Sequence, residues 1–277
     1  TVFAAPECGG ASFHGGLGAL GESGRRRFRP IKFFRLSRAV ICLRHGRMSG
    51  RSDFIYDVMA IGAHPDDVEH SIGATMLHLR DQGKKTVVVH MTHGEAGTYG
   101  NRETRDAEAR AAAEYMGADV RWLDFEDTRI SDSFEARLRV IRAIRDIRPR
   151  LILCQYYDYP LMHPDHEATG QIVRAAFRLC RFRNIDTGQE PFWIPNVAYY
   201  LHPFEVKPTF VFDATAYHDR WLELANLYKS QLDSIPGYRE RLIARRQYAG
   251  SLIDARYGES FVCDRPVRVN GSDMTLF

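Results

Sequence analysis

Long apolar runs are missing from this chain. None approaches the ~18 residues that a membrane-spanning helix requires, so no membrane partner is expected. Cysteine is sparse, with Cys8, Cys42, Cys154, Cys180 and Cys263 far apart and no CxxC pair. An odd, scattered set does not make a disulfide framework and fits a reducing, cytoplasmic setting. Cys154 and Cys180 fall in apolar patterns and are expected as buried thiols. No Gly-x-Gly-x-x-Gly follows the first strand-like run, which argues against a dinucleotide-binding protein. Beyond residue 50 there is no internal repeat or low-complexity tract.

Excess positive charge is also missing from most of the chain. The net charge is +3, but Thr1 to Arg47 holds nine Lys or Arg against two acids. The remainder therefore carries about −4, and nucleic-acid binding is not expected. Residues 1–52 differ in kind from the rest of the chain: Gly, Ala and Ser first, then Arg with interspersed Phe, Ile and Leu. They read as an extension or disordered tail, with an organelle-targeting peptide as the alternative and Met48 as a candidate start. The fold is assigned to one domain over residues 53–277, long enough for a single large core.

From Asp57 the pattern alternates. Strands are expected at Val58–Ile61, Thr86–Met91, Val120–Leu123 and Leu151–Cys154. Helices are expected at Ile72–Gln82, Glu103–Met116, Ser133–Ile147 and Glu167–Cys180. Gly83, Gly117 and Pro149 punctuate the helices. That order predicts an α/β fold, Rossmann-like and three-layered α/β/α, with a mostly parallel sheet and right-handed crossovers. Later strands at Val197–Leu201 and Thr209–Phe212 are expected to extend the same sheet. Helices over Thr215–Leu232 and Tyr238–Ala255 are expected to cover it.

The chemistry concentrates at two strand ends. His64-Pro65-Asp66-Asp67 follows the first strand, and His163-Pro164-Asp165-His166 follows the fourth. Ligands in open α/β sheets bind at such ends. His64, Asp67 and His166 form a plausible three-residue ligand set for Zn²⁺, with Fe²⁺ as an alternative occupant of a His₂Asp site. His64 and Asp67 can bend toward one point across a Pro turn. Asp66 lies between them and is better placed to hold a metal-bound water and take its proton. His163 could face the other side of the reacting carbon, as an imidazolium stabilising an oxyanion or as the acid for a leaving amine. Asp165 reads as a helix cap.

Ala63-His64-Pro65-Asp66-Asp67-Val68-Glu69 resembles the signature of the LmbE-like, or PIG-L, zinc-dependent N-acetylglucosaminyl deacetylases. His163-Pro164-Asp165-His166 resembles their second signature, and Thr92-His93-Gly94-Glu95-Ala96-Gly97-Thr98 is similar to their loop after the second strand. The likeness runs from about Tyr56 to Phe261. Lys207-Pro208-Thr209-Phe210-Val211-Phe212-Asp213 and Tyr228-Lys229-Ser230-Gln231-Leu232 look most like the bacillithiol-biosynthesis branch, whose substrate is N-acetylglucosaminyl malate.

The resemblance implies a metal-dependent hydrolase that removes an N-acetyl group from an N-acetylglucosamine derivative. Inositol-linked sugars are the alternative substrates, and a non-catalytic metal- or sugar-binding module is the alternative function. It implies zinc on His64, Asp67 and His166, Asp66 as base, His163 as oxyanion or acid residue, and a homo-oligomer. It also implies Arg105 as a substrate contact, where a guanidinium would suit a malate carboxylate. A solvated residue in the first turn of a helix is the alternative for Arg105. Two departures stand out. Leu161 occupies a position where some relatives carry a tyrosine, with Tyr156, Tyr157 and Tyr159 just upstream. Tyr99 replaces an arginine in the Gly-Thr-Xaa-Gly loop, where it could stack on a sugar or simply be exposed.

Other positions are left with two readings each. Glu69 either orients His64 or His166 or serves the helix start. His93 either contacts substrate or is an ordinary packed residue. Trp193, Tyr199, Tyr200 and Phe204 form either a pocket wall or core, and Glu259 is a late acid that could reach the mouth.

Overall fold

The computed structural model describes residues 54–266. The expectations placed on residues 1–52, including Met48 as a start, lie outside them. Five parallel strands form one sheet: β1 (Tyr56–Gly62), β2 (Thr86–His90), β3 (Asp119–Trp122), β4 (Pro149–Gln155) and β5 (Asn196–Tyr200). Their spatial order is β3-β2-β1-β4-β5. The crossovers are α1 (Asp67–Asp81), α2 (Arg102–Met116), α3 (Phe134–Ile147) and α4 (Pro164–Leu179).

The strands are nearly continuous apolar runs because both faces of the sheet are covered. Met59, Ile61, Val87, Val89, Ile152 and Cys154 pack with Val140, Ile141 and Ile144 of α3 and Ile172 and Val173 of α4. Val58, Ala60, Val88, Leu151 and Leu153 pack with Val68, Met76 and Leu79 of α1 and Ala109, Ala112 and Met116 of α2. The result is the three-layer α/β/α fold that the alternating pattern predicts. Cys154 and Cys180 are buried free thiols. Among the described residues no helix is long and apolar enough to cross a membrane.

Chain order reverses between β1 and β4. Strands β2 and β3 are added on one side of β1, and β4 and β5 on the other. The loops leaving the C-terminal ends of β1 and β4 therefore part in opposite directions and open a crevice between them. Ile61 pairs with Cys154 in register, so both strands end at one level. The Gln155 side chain accepts a hydrogen bond from the Ala63 amide at 2.9 Å, which locks the two ends together.

Several local expectations need correction. α4 starts at Pro164 and not at Glu167, so the second motif forms its first turn. Proline at the first helical position costs no hydrogen bond there. α1 likewise begins at Asp67, five residues before the expected Ile72. β4 begins at Pro149 itself, because the preceding helix ends at Ile147 and proline can open a strand.

The expected helix over Thr215–Leu232 is interrupted. It consists of a 3₁₀ turn at Thr215–Tyr217, α5 (His218–Ala225) and α6 (Lys229–Leu232). α7 covers Tyr238–Ser251. β6 (Phe210–Asp213) does not join the main sheet. It pairs antiparallel with β7 (Gly258–Phe261), a strand that the sequence pattern does not signal, and Val262 just beyond β7 bridges back to Tyr199 of β5.

β7 has a purpose inside the fold. α1 is broken at Ile72, where φ/ψ of −135°/22° leaves the helical region. The break frees backbone groups that must find partners elsewhere. The Trp221 indole donates to the Glu69 carbonyl at 3.0 Å. The Glu259 carboxylate accepts from the Ala74 amide at 2.9 Å and from the Thr75 amide and hydroxyl at 2.7 and 2.6 Å. Arg246 completes a buried ion pair with it. Glu259 therefore caps an internal helix start and does not reach any mouth.

Replacing Glu259 by Ala strands the Arg246 charge and two amides, and is expected to cost about 3–5 kcal/mol. Denaturant unfolding of the two proteins measures this. A loss below about 1 kcal/mol contradicts the capping role.

Candidate active site

The first motif turns sharply after β1. Gly62 sits where a Cβ would lie 2.9 Å from the Asp67 Cβ, so the turn closes only without a side chain there. The Asp67 carboxylate accepts from the His64 amide at 2.7 Å, which fixes the turn from inside. Asp66 lies between them at φ 105°, a left-handed conformation that strains a non-glycine residue. Strain of this kind persists only where surrounding contacts over-determine it. Here Arg105 does so, donating to the Pro65 carbonyl and lying 3.3 Å from the Asp66 carboxylate.

The second motif arrives on the first turn of α4. Gly170 lets that helix approach β4, since a Cβ there would stand 2.7 Å from the Gln155 carbonyl. His166 Nε2 then lies 3.0 Å from Asp67 Oδ1, and His64 Nδ1 lies 3.6 Å from Asp67 Oδ2. One donor atom from each of His64, Asp67 and His166 falls within 4.8 Å of the others. Tetrahedral bonds of ~2.0–2.2 Å place ligand atoms about 3.3–3.6 Å apart, so the spacing fits a small divalent cation. The donor chemistry, two imidazoles and a carboxylate, fits as well. A second cluster of His64, His163 and Asp165 shares one histidine with the first. Its Asp165 carboxylate is already engaged by the Thr128 amide at 2.8 Å.

Burial and charge act against each other throughout. Burial opposes ionisation of Asp67, but His166 and then His64 outweigh it and hold the carboxyl well below the usual range. Burial raises the Asp66 carboxyl, and Arg105 is the strongest group pulling it back. Burial also opposes charge on His64, yet Asp127, Asp165 and Asp67 together raise it well above its ordinary value. Asp127 is drawn down to about 2: burial opposes this, and the nearby His64 overcomes it.

His163 is exposed, with its ring edge-on to His64 at 4.8 Å between centroids. Its Nδ1 accepts the Asp165 amide at 3.2 Å and so caps α4. A backbone amide only donates, so that nitrogen carries no proton. That bond tells against the imidazolium expectation, since it leaves Nε2 as the nitrogen that carries the ring's hydrogen. Burial, then the neighbouring His64 and His166, depress its basicity in the same direction. It also corrects Asp165, which lies inside the helix while His163 does the capping.

Arg105 does not fit the solvated alternative drawn from the sequence. It is 4% exposed and so not solvated, and one of its terminal nitrogens is committed to Pro65 and Asp66. It does line the cleft, a cavity of about 350 Å³ that also includes His64, Asp66, Asp67, His163 and His166. Asp127, Thr128, Gln231 and Tyr238 line it too, and sequence reasoning misses them as site residues. Asp127 sits in an irregular loop with no motif spacing to mark it. Tyr238 meets His70 Nδ1 at 3.1 Å, a contact between residues 168 apart.

Other residues fall away from the cleft. His93 is buried between Asp106 at 2.6 Å and Asp124 at 2.8 Å and stacks on Trp122. Glu69 is fully buried and faces His90 at 4.0 Å, not His64 or His166. Burial pushes its carboxyl up to about 8 and lowers His90 to about 4. Tyr199 and Tyr200 are core, while Trp193 and Phe204 are exposed and, like Tyr99, are not among the cleft-lining residues.

Replacing His166 by Ala is expected to weaken Zn²⁺ binding more than about 100-fold, since even outer-shell losses cost 10–100-fold. Competition against a chromogenic chelator measures this. An unchanged affinity rules the donor set out.

The PIG-L family model, described as GlcNAc-PI de-N-acetylase, matches residues 59–177. The chain is 28% identical over 219 residues to the diacetylchitobiose deacetylase of Thermococcus kodakarensis, covering 73% of this chain and 80% of that one. It is 27% identical over 132 residues to a Bacillus anthracis protein named "Probable N-acetyl-alpha-D-glucosaminyl L-malate deacetylase 2", covering 43% of this chain and 58% of that one. The crystal structure of the conserved protein TT1542 from Thermus thermophilus superposes with a TM-score of 0.71 at 32% identity, over 77% of this chain and 96% of that one. By sequence the chain resembles the PIG-L family over residues 59–177, and its architecture is shared with the Thermus protein.

Proposed function

We propose that the protein hydrolyses the N-acetyl amide of an N-acetylglucosamine derivative. The observation that carries this reading is one cleft holding a His64–Asp67–His166 donor set beside an Arg105-braced Asp66 carboxylate. The Thermococcus relative is named for deacetylation of a chitobiose, which supports the same reaction class.

His64, Asp67 and His166 would hold the metal. A divalent cation there supplies Lewis acidity and an acidified water. Asp66 accepts the proton as the water oxygen bonds to the amide carbon. Arg105 keeps that carboxylate in place and its charge compensated within a buried setting. His163 donates Nε2–H to the oxygen that gains charge as the carbonyl opens. Asp66 then returns the proton to the nitrogen, the C–N bond breaks, and acetate and the free amine leave. The bond from the Asp165 amide to His163 Nδ1 supports giving proton delivery to Asp66, so that one carboxyl serves as base and then as acid.

The finer reading is N-acetylglucosaminyl malate, and the Bacillus relative's name supports it. Among the described lining residues the only Lys or Arg is Arg105. One of its terminal nitrogens already serves Pro65 and Asp66. A malate group would have to be read by its remaining amine groups or from outside the cleft. Inositol-linked and chitobiose-type sugars ask for no such cation.

An acetate-release assay on those three substrate types, with metal-stripped and zinc-restored protein, tests the proposal. Release by the restored protein from at least one of them is expected, and release from none overturns the activity. Asp66→Ala is expected to lower turnover by about 10²–10⁴ while zinc stays bound. Unchanged turnover in that variant removes Asp66 from the base role.

A further inference from the structure

His64 has two nitrogens, and only one can bind a cation in this geometry. Nδ1 faces Asp67, as the donor set requires. Nε2 points the other way, toward two carboxylates from different segments. Asp127 Oδ1 lies 3.0 Å from it and Asp165 Oδ2 lies 3.3 Å. Both acids are buried, at 5% and 1% exposure. A pair of carboxylates accepts and cannot donate, so Nε2 must carry the hydrogen. In the neutral ring that binds a cation, the single hydrogen therefore sits on Nε2 and leaves Nδ1 free.

Asp127 is held in turn. Its Oδ2 accepts the Ala96 amide at 2.9 Å, and its own amide donates to Glu95 Oε1 at 3.0 Å. Glu95 Oε2 accepts the His93 amide at 3.1 Å. These bonds join the loop after β2, which forms one cleft wall through Gly94, Ala96, Gly97 and Thr98, to the loop that carries Asp127. Asp124 and Thr128, near its two ends, have positive φ and close that loop tightly. The same carboxylate thus touches the cleft wall with one oxygen and the cation ligand with the other.

We infer that Asp127 is a positioning residue that selects the metal-binding tautomer of His64 and couples it to the Gly94–Thr98 wall. It acts through His64, not on the reacting atoms. The inference rests on the donor set proposed above. His166 makes a contrast: its Nδ1 is buried with no hydrogen-bond partner, so no comparable acid orients it.

Asp127→Asn tests the assignment, because it keeps size while replacing one acceptor oxygen with a donor amide. Oriented toward Ala96 and His64 in either way, the amide meets an N–H at one of them. If it faces His64 it favours the tautomer whose hydrogen sits on Nδ1. Zinc affinity is expected to fall about 10–100-fold, with unfolding temperature within a few degrees of the parent. The parent protein alone gives the second measurement. Nitrogen-15 NMR of its zinc-loaded form should show His64 bonded to zinc through Nδ1 and carrying hydrogen on Nε2. Both readouts use zinc without substrate, so they stand apart from acetate release. Failure of the parent to bind zinc, zinc on His64 Nε2, or an Asn variant within about threefold of the parent affinity each overturns the inference.

Discussion

Everything chemical in this molecule depends on β1 and β4 lying side by side. Their residues are about ninety positions apart in the chain, yet Ile61 and Cys154 are paired in register. Parallel pairing makes both strands end on the same edge of the sheet. The reversal of strand order there keeps the following loops from covering one another. Two short motifs, neither able to trap a cation alone, are thereby brought face to face. The hydrogen bond from the Ala63 amide to Gln155 sets the level at which they meet.

Around that meeting point the fold gathers more acid than it can leave unpaired. Asp66, Asp67, Asp127 and Asp165 are all buried. Each finds a donor from another part of the chain: Arg105 for Asp66, His166 for Asp67, Ala96 for Asp127 and Thr128 for Asp165. Burying an ionised carboxylate without such partners is costly. The acids therefore act as connectors as much as chemical groups, and each ties two segments of backbone together.

The sheet and its helices are legible in the sequence because β-branched runs and 3.6-residue spacing report burial directly. The candidate metal donors are legible because both motifs fall at strand ends, a position that topology makes meaningful. What stays hidden depends on long-range partners. Asp127 sits in a loop without periodicity, and its importance comes from the ring of His64, far away in the chain. Arg105 looks like a first-turn surface residue on helical spacing, and only the approach of Pro65 buries it. The charge of His163 is hidden too, since capping by an imidazole nitrogen cannot be read from residue type. β7 is silent because its short stretch of mixed polarity carries no strand signal of its own.

The broken helix α1 links assembly of the site to a segment far downstream in the chain. Asp67 sits on a short turn that is separated from the rest of its helix at Ile72. The segment beyond the break is capped from 185 residues downstream, by Glu259 on β7. A growing polypeptide leaving the ribosome would thus display both histidine motifs well before that brace exists. The proposed cation site belongs to the finished molecule, and a nascent chain arrested short of β7 would carry both histidine motifs without the scaffold that aims them.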